Sequence, residues 1–481
     1  MTQASFEAAF IAPEEVTPKR LDANFYRATY RQAAQRAARL PSAPLSSLVK
    51  AGTVITYGVI KSVQIESGVP MLRIQNLQSG FADADGAVRI SAEQHQGFSR
   101  SALSGGELLI AIGGYVGVAA KYPNDGPIAN INQHVAKADI DLRRANDYYA
   151  LAYLWSQTGT LLLQRTVTGT VQAGISLGDL RAFPLPLPDR RIQDYIGAKV
   201  ELAERCRAVV FREREELGTE LATLYEGCPH DALSSLTTMV APPEIDGSRL
   251  DAWYHQRHFI TLTDWLRRNP TFVELGRVAS LSSDRWSPGA HGQSTFRYIE
   301  ISNVDSSTGH VSHSEVPVAN APSRARKLVR GFDVLASTVR PNRGAVGLVP
   351  DSLDGAVATT GFAVVRPASK TDAFFLLAVL RHPASTAQLM RCNTGSAYPA
   401  IEESVFPQIW IPGAKPETRK SLGARELRRT TLLQTAVDLV DQAKADVEAL
   451  IEGTLDVQAI LAGTVKAPTA DDIPELAEDA A

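Results

Sequence analysis

The sequence predicts an α+β protein made by duplication. Two mixed α/β bodies are each followed by a long helix, and the two helices pack together as an antiparallel coiled coil. Three observations predict this. Segments recur in the same order along the 481 residues at an offset of about 226. Behind each body, apolar residues return every seventh position over a long stretch rich in Arg and Glu. Within each body, β-branched and apolar runs ending in turn residues come before a longer segment with helical spacing.

An N-terminal segment, 1–19, leads into the first body, 20–188. That body opens with "RLDANFY" (20–26), answered by "RLDAWYH" (249–255) in the second body, 249–412. "LRIQNLQSG" (72–80) matches "YIEISNVDSSTG" (298–309), and both runs read as a strand followed by a turn. "GGELLIA" (105–111) matches "GFDVLAS" (331–337), with Glu107 opposite Asp333, and each begins a pair of buried strands joined by a glycine-containing turn. Helical spacing follows over 146–166 and 370–391. Next come "TGTVQAGI" (168–175) and "TGSAYPAI" (394–401), then "FPLPLP" (183–188) and "FPQIWIP" (406–412). Proline continues neither a helix interior nor a central strand, so both bodies end there.

Helical spacer 189–227 carries Ile196, Ala203, Val210, Leu217 and Leu224 as its seam, with Val200 and Leu221 beside them. Spacer 413–456 carries Leu433, Val440 and Val447, flanked by Val437 and Ile451. A stripe this narrow suits a helix–helix seam, although Arg207 and Arg214 interrupt the first one and leave a face for a partner. A helix of about 38 residues spans roughly 57 Å, enough to hold the bodies apart. A linker, 228–248, joins the two repeats, and 457–481 reads as an acidic, disordered tail.

The net charge of −3 conceals a division. Residues 20–188 hold 16 Lys/Arg against 11 Asp/Glu, and 249–412 hold 17 against 13, so the bodies are basic and everything else is acidic. The three cysteines are scattered, which excludes a disulfide frame and a zinc site and points to a reducing cytoplasm. No apolar run approaches a membrane span and the start has no basic leader, so no membrane association is expected.

Body, helix, body, helix, together with "TYGVIKS" (56–62), "GGELLIA", "GGYVGVAA" (113–120), "NINQHV" (130–135) and "TGTVQAGISLGDLRAFPLPLP" (168–188), resembles the specificity (S) subunit of type I restriction-modification systems. The resemblance covers about residues 20–456. In the second copy "STVRPNRGAVG" (337–347) keeps the pattern, while "VATTGFAVV" (357–365) replaces the Asn-Gln element. It implies two target-recognition domains with helical spacers, each reading one half of a bipartite double-stranded DNA site. It also implies two methyltransferase (M) subunits clasping the coil and restriction (R) subunits completing a phage-defence nuclease. S-adenosylmethionine, ATP and Mg would sit on those partners, leaving this chain non-catalytic and without a cofactor or metal. Alternatives are the recognition module of another phage-defence methyltransferase complex, or a fragment of a fused methyltransferase-nuclease enzyme. If both bodies address one face of the duplex, the half-sites lie roughly 34–36 Å apart.

DNA reading needs cations for phosphates and short polar side chains for base edges. The candidates in the first body are Thr56, Tyr57, Lys61, Arg73, Gln75, Asn76, Tyr115, Lys121, Asn132, Gln133, Arg165, Thr168 and Gln172. In the second they are Arg285, Trp286, Arg297, Asn303, Arg340, Asn342, Arg343, Arg391, Asn393, Thr394, Ser396 and Tyr398. "STVRPNRG" (337–344) is the strongest stretch, two guanidiniums and an amide in a loop stiffened by Pro341 and freed by Gly344.

Asp22 and Asp251 have no histidine or second carboxylate repeated beside them, so "RLDA" reads as an anchor for the chain's entry into each body. The pairs His255/His258 and His310/His313 lack a third ligand. "NPTF" (269–272) lacks the second proline and the glycine-rich cofactor loop of an amino-methyltransferase, and "GGYVG" lacks the strand–helix context of a phosphate loop.

Overall fold

Alternating side chains make the central strand of each body a partition between two apolar cores, and the rest of the fold is arranged around that strand. A computed structural model describes residues 11–13, 16, 17, 20–82, 84, 86–169, 173–230, 239–242, 245, 247, 249–288, 294–394 and 398–477. Much of the predicted linker 228–248 therefore lies outside the described residues. The chain divides into two compact units, residues 1–206 with 435–481, and residues 207–434.

The first unit runs α1 (Ala28–Ala37), β1 (Ser42–Pro44), β2 (Thr56–Tyr57), β3 (Val69–Leu72), β4 (Val88–Ile90), α2 (Ala92–Gly97), β5 (Leu108–Ala111), β6 (Ala119–Lys121), β7 (Asn130–Ile131) and β8 (Val135–Ala138). It continues through α3 (Asp147–Trp155), α4 (Gln157–Arg165), α5 (Leu177–Arg181) and β9 (Pro184–Pro186) to the long α6 (Arg190–Leu224). One sheet has the order β2-β8-β5-β6 and is antiparallel; the other, β4-β3-β7, contains the parallel pair β3–β7. Leu108 and Ile110 of β5 face a core shared with α3 and α4, while Leu109 faces a second core with Leu72, Ile131 and Val135. Ser156 separates α3 from α4 and caps the latter, accepting from Gly159 N at 3.0 Å.

The second unit repeats this plan. It comprises α7 (Arg257–Arg268), β10 (Phe272–Glu274), β11 (Ala279–Leu281), β12 (Thr295–Ile299), β13 (Ser314–Pro317), β14 (Ala325–Leu328), β15 (Val334–Ser337) and β16 (Val346–Leu348). Then come β17 (Val357–Thr359), β18 (Phe362–Pro367), α8 (Lys370–Arg381), α9 (Pro383–Arg391), β19 (Trp410–Pro412) and the start of the long α10 (Pro416–Glu452). Its sheets, β11-β18-β15-β16 and β13-β12-β17-β14, reproduce the first unit's orders with β14 added, and β12–β17 is again parallel. Val334 and Ala336 face one core and Leu335 the other, the same partition as at β5. Pro383 at the first position of α9 makes the break that Ser156 makes in the first unit. The proline runs are more than boundaries. Pro184–Pro186 pairs antiparallel with β1, and Trp410–Pro412 with β10, in two-stranded sheets where a missing N–H can face outward.

Each unit holds part of both long helices. In the first, Ile196 and Val200 of α6 share an apolar core with Ala443, Val447, Leu450 and Ile451 of α10, and Lys199 pairs with Asp446. In the second, Leu217 and Leu221 share a core with Leu422. There Arg425 meets Glu213 at 3.2 Å and Glu220 at 3.0 Å, and Arg428 also pairs with Glu213. Glu213 and Glu220 thus meet partners in descending order, as antiparallel helices require.

The first stripe is seated nearly as expected: Ile196, Val200, Ala203, Leu217 and Leu221 are buried, with Val210 and Leu224 half-buried. The second needs correction. Val447 and Ile451 are buried, but Leu433 and Val440 are only half-buried and Val437 is exposed. The buried line runs instead through Leu422, Glu426, Arg429, Leu432, Ala436, Leu439, Ala443, Val447 and Leu450. Its charged pair is satisfied internally: Arg429 Nε donates to Glu426 at 2.7 Å and Arg429 Nη2 to Thr308 O at 2.6 Å. The tail also departs from expectation. Residues 457–477 include α11 (Val457–Leu461) and α12 (Pro474–Ala477), with Ile460, Ile473 and Leu476 buried, because three spaced apolar residues find cover despite the acidic composition.

Candidate nucleic-acid interface

In each unit the entry motif closes the body on itself. Arg20 donates to the carbonyls of Arg165, Thr166 and Val167 at 3.1–3.2 Å, filling acceptors that the end of α4 leaves open. Asp22 accepts from Phe25 N at 3.0 Å and Arg20 Nε at 2.9 Å. Arg165 returns the grip, donating to Phe25 O at 3.1 Å and lying 4.0 Å from the centre of its ring. The second unit repeats this. Arg249 reaches Cys392 O and Asn393 O at 3.5 and 2.9 Å, Asp251 caps Tyr254 N, and Arg391 bonds Tyr254 O and covers its ring. The paired arginines hold the Asp22 and Asp251 carboxyls below the usual carboxylate range. The motif is an anchor, as the sequence suggested, and it also engages Arg165 and Arg391.

Three loops meet at one end of each body. In the first, Ile112 N donates to His134 O (2.9 Å), Ile175 N to Ile112 O (2.7 Å) and Gly114 N to Ala173 O (3.3 Å). These bonds weave the β5–β6 tip between the β7–β8 turn and the loop ahead of α5. A Cβ at Gly113 would lie 2.7 Å from the exposed His134 ring and would have to push it aside. In the second, Thr338 N donates to Gly361 O (2.8 Å), Ile401 N to Thr338 O (2.9 Å) and Arg340 N to Pro399 O (2.7 Å). This is the same weave at the β15–β16 tip.

The outward side chains differ between the two weaves. The first presents Tyr115, 78% exposed, with Gln133 and Thr168. Asn132 is half-buried, its Oδ1 accepting from His134 N. Beside it runs 57–61, where Gly58 N donates to Asn132 O and where Tyr57 and Lys61 are exposed; Thr56, half-buried, bonds Tyr57 O. The second weave presents Asn342, Arg343, Thr394 and Tyr398, all exposed, with Arg340 half-buried against the Tyr398 ring. Asn393 Oδ1 is turned in to accept from Ala400 N. Arg340, Arg343 and Tyr398 line a cleft of ≈ 490 Å³ with Ser302 and Ser306.

Other candidates sit elsewhere. Gln75 is exposed on the turn after β3. Asn76 is buried and accepts from Arg73 N, and Asn303 in the same way accepts from Glu300 N, so both cap the turn after a strand. Arg73 Nε is enclosed without a hydrogen-bond partner among the described residues. Lys121 is 2% exposed, 3.0 Å from Asp147 and stacked over Tyr148. Trp286 is 4% exposed and packs on Phe296. Lys121 and Asn76 therefore present no side chain to a ligand, while Trp286 shows only an edge to a cavity of ≈ 510 Å³ that it lines with Phe296 and Arg297. Arg297 is held by Asp354 O at 2.7 Å and by Ser352 O, and exposed Arg285 lies 3.5 Å from Glu403. Gln172 and Ser396 lie outside the described residues. His134, Ser302 and Ser306 were missed by sequence reasoning; their position opposite the hairpin tips was the signal.

The features set aside from the sequence have ordinary roles. Asn269 Oδ1 accepts from Thr271 N at 3.0 Å and its hydroxyl at 2.7 Å, ending α7. His255 is buried against Asp251 O, and burial holds the His258 ring below the usual histidine range. The weaves offer guanidinium forks, amides, hydroxyls and aromatic faces, the groups that recognise phosphates and base edges.

No protein-family profile matches the chain, and no curated protein matches it. Among solved structures, it is similar to the S subunit of a type I restriction-modification system from M. genitalium. The identity is 12% over 86% of this chain and 96% of that one, with a TM-score of 0.45. It is also similar to the HsdS subunit from Thermoanaerobacter tengcongensis, at 17% identity over 86% of this chain and 97% of that one, TM-score 0.28. A chain from a study of type I R-M complex assembly and conformational transition matches at 16% over 86% and 99%, TM-score 0.30. No helix among the described residues is long and apolar enough to cross a membrane.

Proposed function

We propose that this chain is the sequence-specific DNA-recognition subunit of a type I restriction-modification complex, reading a bipartite target and positioning methyltransferase and restriction subunits. One observation carries the reading: the same three-loop weave occurs twice in one chain, with different outward side chains. A duplicated frame with divergent reading groups suits two unlike half-sites. The basic balance of both bodies adds attraction to phosphate. The chain contributes recognition, while adenine methylation from S-adenosylmethionine and ATP-dependent cleavage belong to its partners in the cytoplasm. Methylome sequencing of the host with and without the gene tests this. A bipartite motif bearing methyladenine should disappear on deletion and return on complementation. An unchanged methylome in a strain whose methyltransferase partner is expressed would refute it, as would methyl transfer by the purified chain alone.

A further inference from the structure

We infer that Arg340 is the specificity-determining residue of the second body, that it reads a guanine edge, and that Tyr398 is its positioning residue. The inference rests on the DNA-recognition reading above. Arginine is a flexible chain, and a flexible donor discriminates poorly because its geometry must be fixed as it binds. Here three constraints fix it beforehand. Its backbone adopts φ 52°, ψ 55°, a left-handed conformation rare for a side chain of this size. Pro341 bars the right-handed alternative, and the bond from Arg340 N to Pro399 O at 2.7 Å ties the residue to the loop that carries Tyr398. The guanidinium then lies over the Tyr398 ring, 4.2 Å from its centre. The ring supports the guanidinium from one side by cation–π attraction and leaves its N–H groups for a ligand. Those groups match the O6 and N7 acceptors of guanine.

Backbone strain at a non-glycine residue survives only where the surroundings over-determine it, and it gathers at ligand sites. The cleft of ≈ 490 Å³ beside it has an apolar wall of Ile301, Val304 and Val339, against which the face of a base can lie, and Arg340, Arg343 and Ser302 supply donors for its edge. Arg343 is the exposed companion on the same tip, placed to hold a phosphate. The corresponding first-body tip carries Tyr115 and no arginine, so guanine reading by this device belongs to one half-site only.

The test is selection of duplexes from a randomised library by the full-length chain, in four forms: wild type, Tyr398→Phe, Tyr398→Ala and Arg340→Lys. The wild type should enrich a motif with guanine at one position of one half-site. Tyr398→Phe keeps the ring and should keep that preference. Tyr398→Ala should lower it by ~2- to 30-fold, the range of a cation–π contact, and leave every other position unchanged. Arg340→Lys, a point charge without the fork, should abolish the guanine preference while retaining most of the affinity for random duplex. A uniform loss of affinity in Tyr398→Ala with the motif intact would make Arg340 a phosphate contact and overturn the inference alone. An unaltered guanine preference in Tyr398→Ala or Arg340→Lys would overturn it too. Failure of the wild type to enrich any motif, alone or with its methyltransferase partner, would sink the DNA-recognition reading and this inference with it.

Discussion

Removing the Arg20 side chain should loosen the first body much more than removing its counterpart Arg249 loosens the second. Arg20 is about nine-tenths enclosed and donates to three carbonyls at the end of α4. Arg249 is 25% exposed and reaches two at the end of α9, one of them at the 3.5 Å limit. A hydrogen bond to a charged group contributes about 1.5–3 kcal/mol, and water recovers part of it at an exposed site. Taking about 1 kcal/mol per carbonyl bond after water's share, half that for the 3.5 Å bond, and nothing for the half-exposed aspartates gives about 3 kcal/mol for Arg20→Ala and about 1.5 kcal/mol for Arg249→Ala. Because the chain has two units, one unfolding curve would mix them, and local opening is the proper measure. At about 1.4 kcal/mol per decade, amides of residues 163–167 should exchange roughly 100-fold faster in Arg20→Ala, and those of 389–393 roughly 10-fold faster in Arg249→Ala. Equal effects, or protection unchanged in Arg20→Ala, would show that the carbonyls are satisfied without the guanidinium and refute the anchor.

Asn76→Ala and Asn303→Ala should each cost about 1 kcal/mol of local stability, as lost caps, and leave base preferences unaltered; a changed motif in the selection assay would make either a reader instead. Burial raises the Glu204 carboxyl above its ordinary range, with the Tyr148 hydroxyl donating to it. A raised acid costs stability as pH climbs past its unfolded value near 4.5, so Glu204→Gln should be more stable than the wild type at pH 7, with the gap closing in acid; amide protection factors of α3, compared from pH 4 to 8, would detect the reverse. The Arg143 side chain pulls Asp141 down to about 2, and carboxyl NMR should find it titrating there in the wild type and nearer 3.8 in Arg143→Ala. Arg343→Ala should weaken binding to all duplexes alike and lower its salt dependence by about one phosphate contact, measurable by titration at several ionic strengths.

The duplication was legible because its segments keep order and offset, and long helices announce themselves by period. The α10 seam was misread because Ala436 and Ala443 hardly register as apolar, and because Glu426 and Arg429 neutralise each other in the line that is buried. Val437 looked like seam and faces solvent, since one residue of a helix turns a side chain by about 100°. Residue type pointed to the tips where the three loops converge, including "STVRPNRG", but not to the direction in which each side chain faces. Lys121 and Trp286 have the chemistry of readers and are enclosed by Asp147 and Phe296, while Asn76 turns back to cap its own turn at Arg73. Arg165 and Arg391 have the charge of DNA contacts, but each is gripped by the entry motif, at Phe25 O and Tyr254 O.

The pairing of β1 with β9, and of β10 with β19, has a consequence for how such a chain can change. Strands that pair lie about 4.8 Å apart, so residues 42–44 lie beside 184–186, and 272–274 beside 410–412. Everything between the paired strands is a closed excursion. Its outer loops can be exchanged while the paired strands hold the start of the helix that follows, whereas in the first unit Asn146, Tyr148 and Thr158 bond α6 and α10 and have to stay. On the proposed DNA-recognition reading, substituting such loops in one body would change one half of the target and leave the other unaltered.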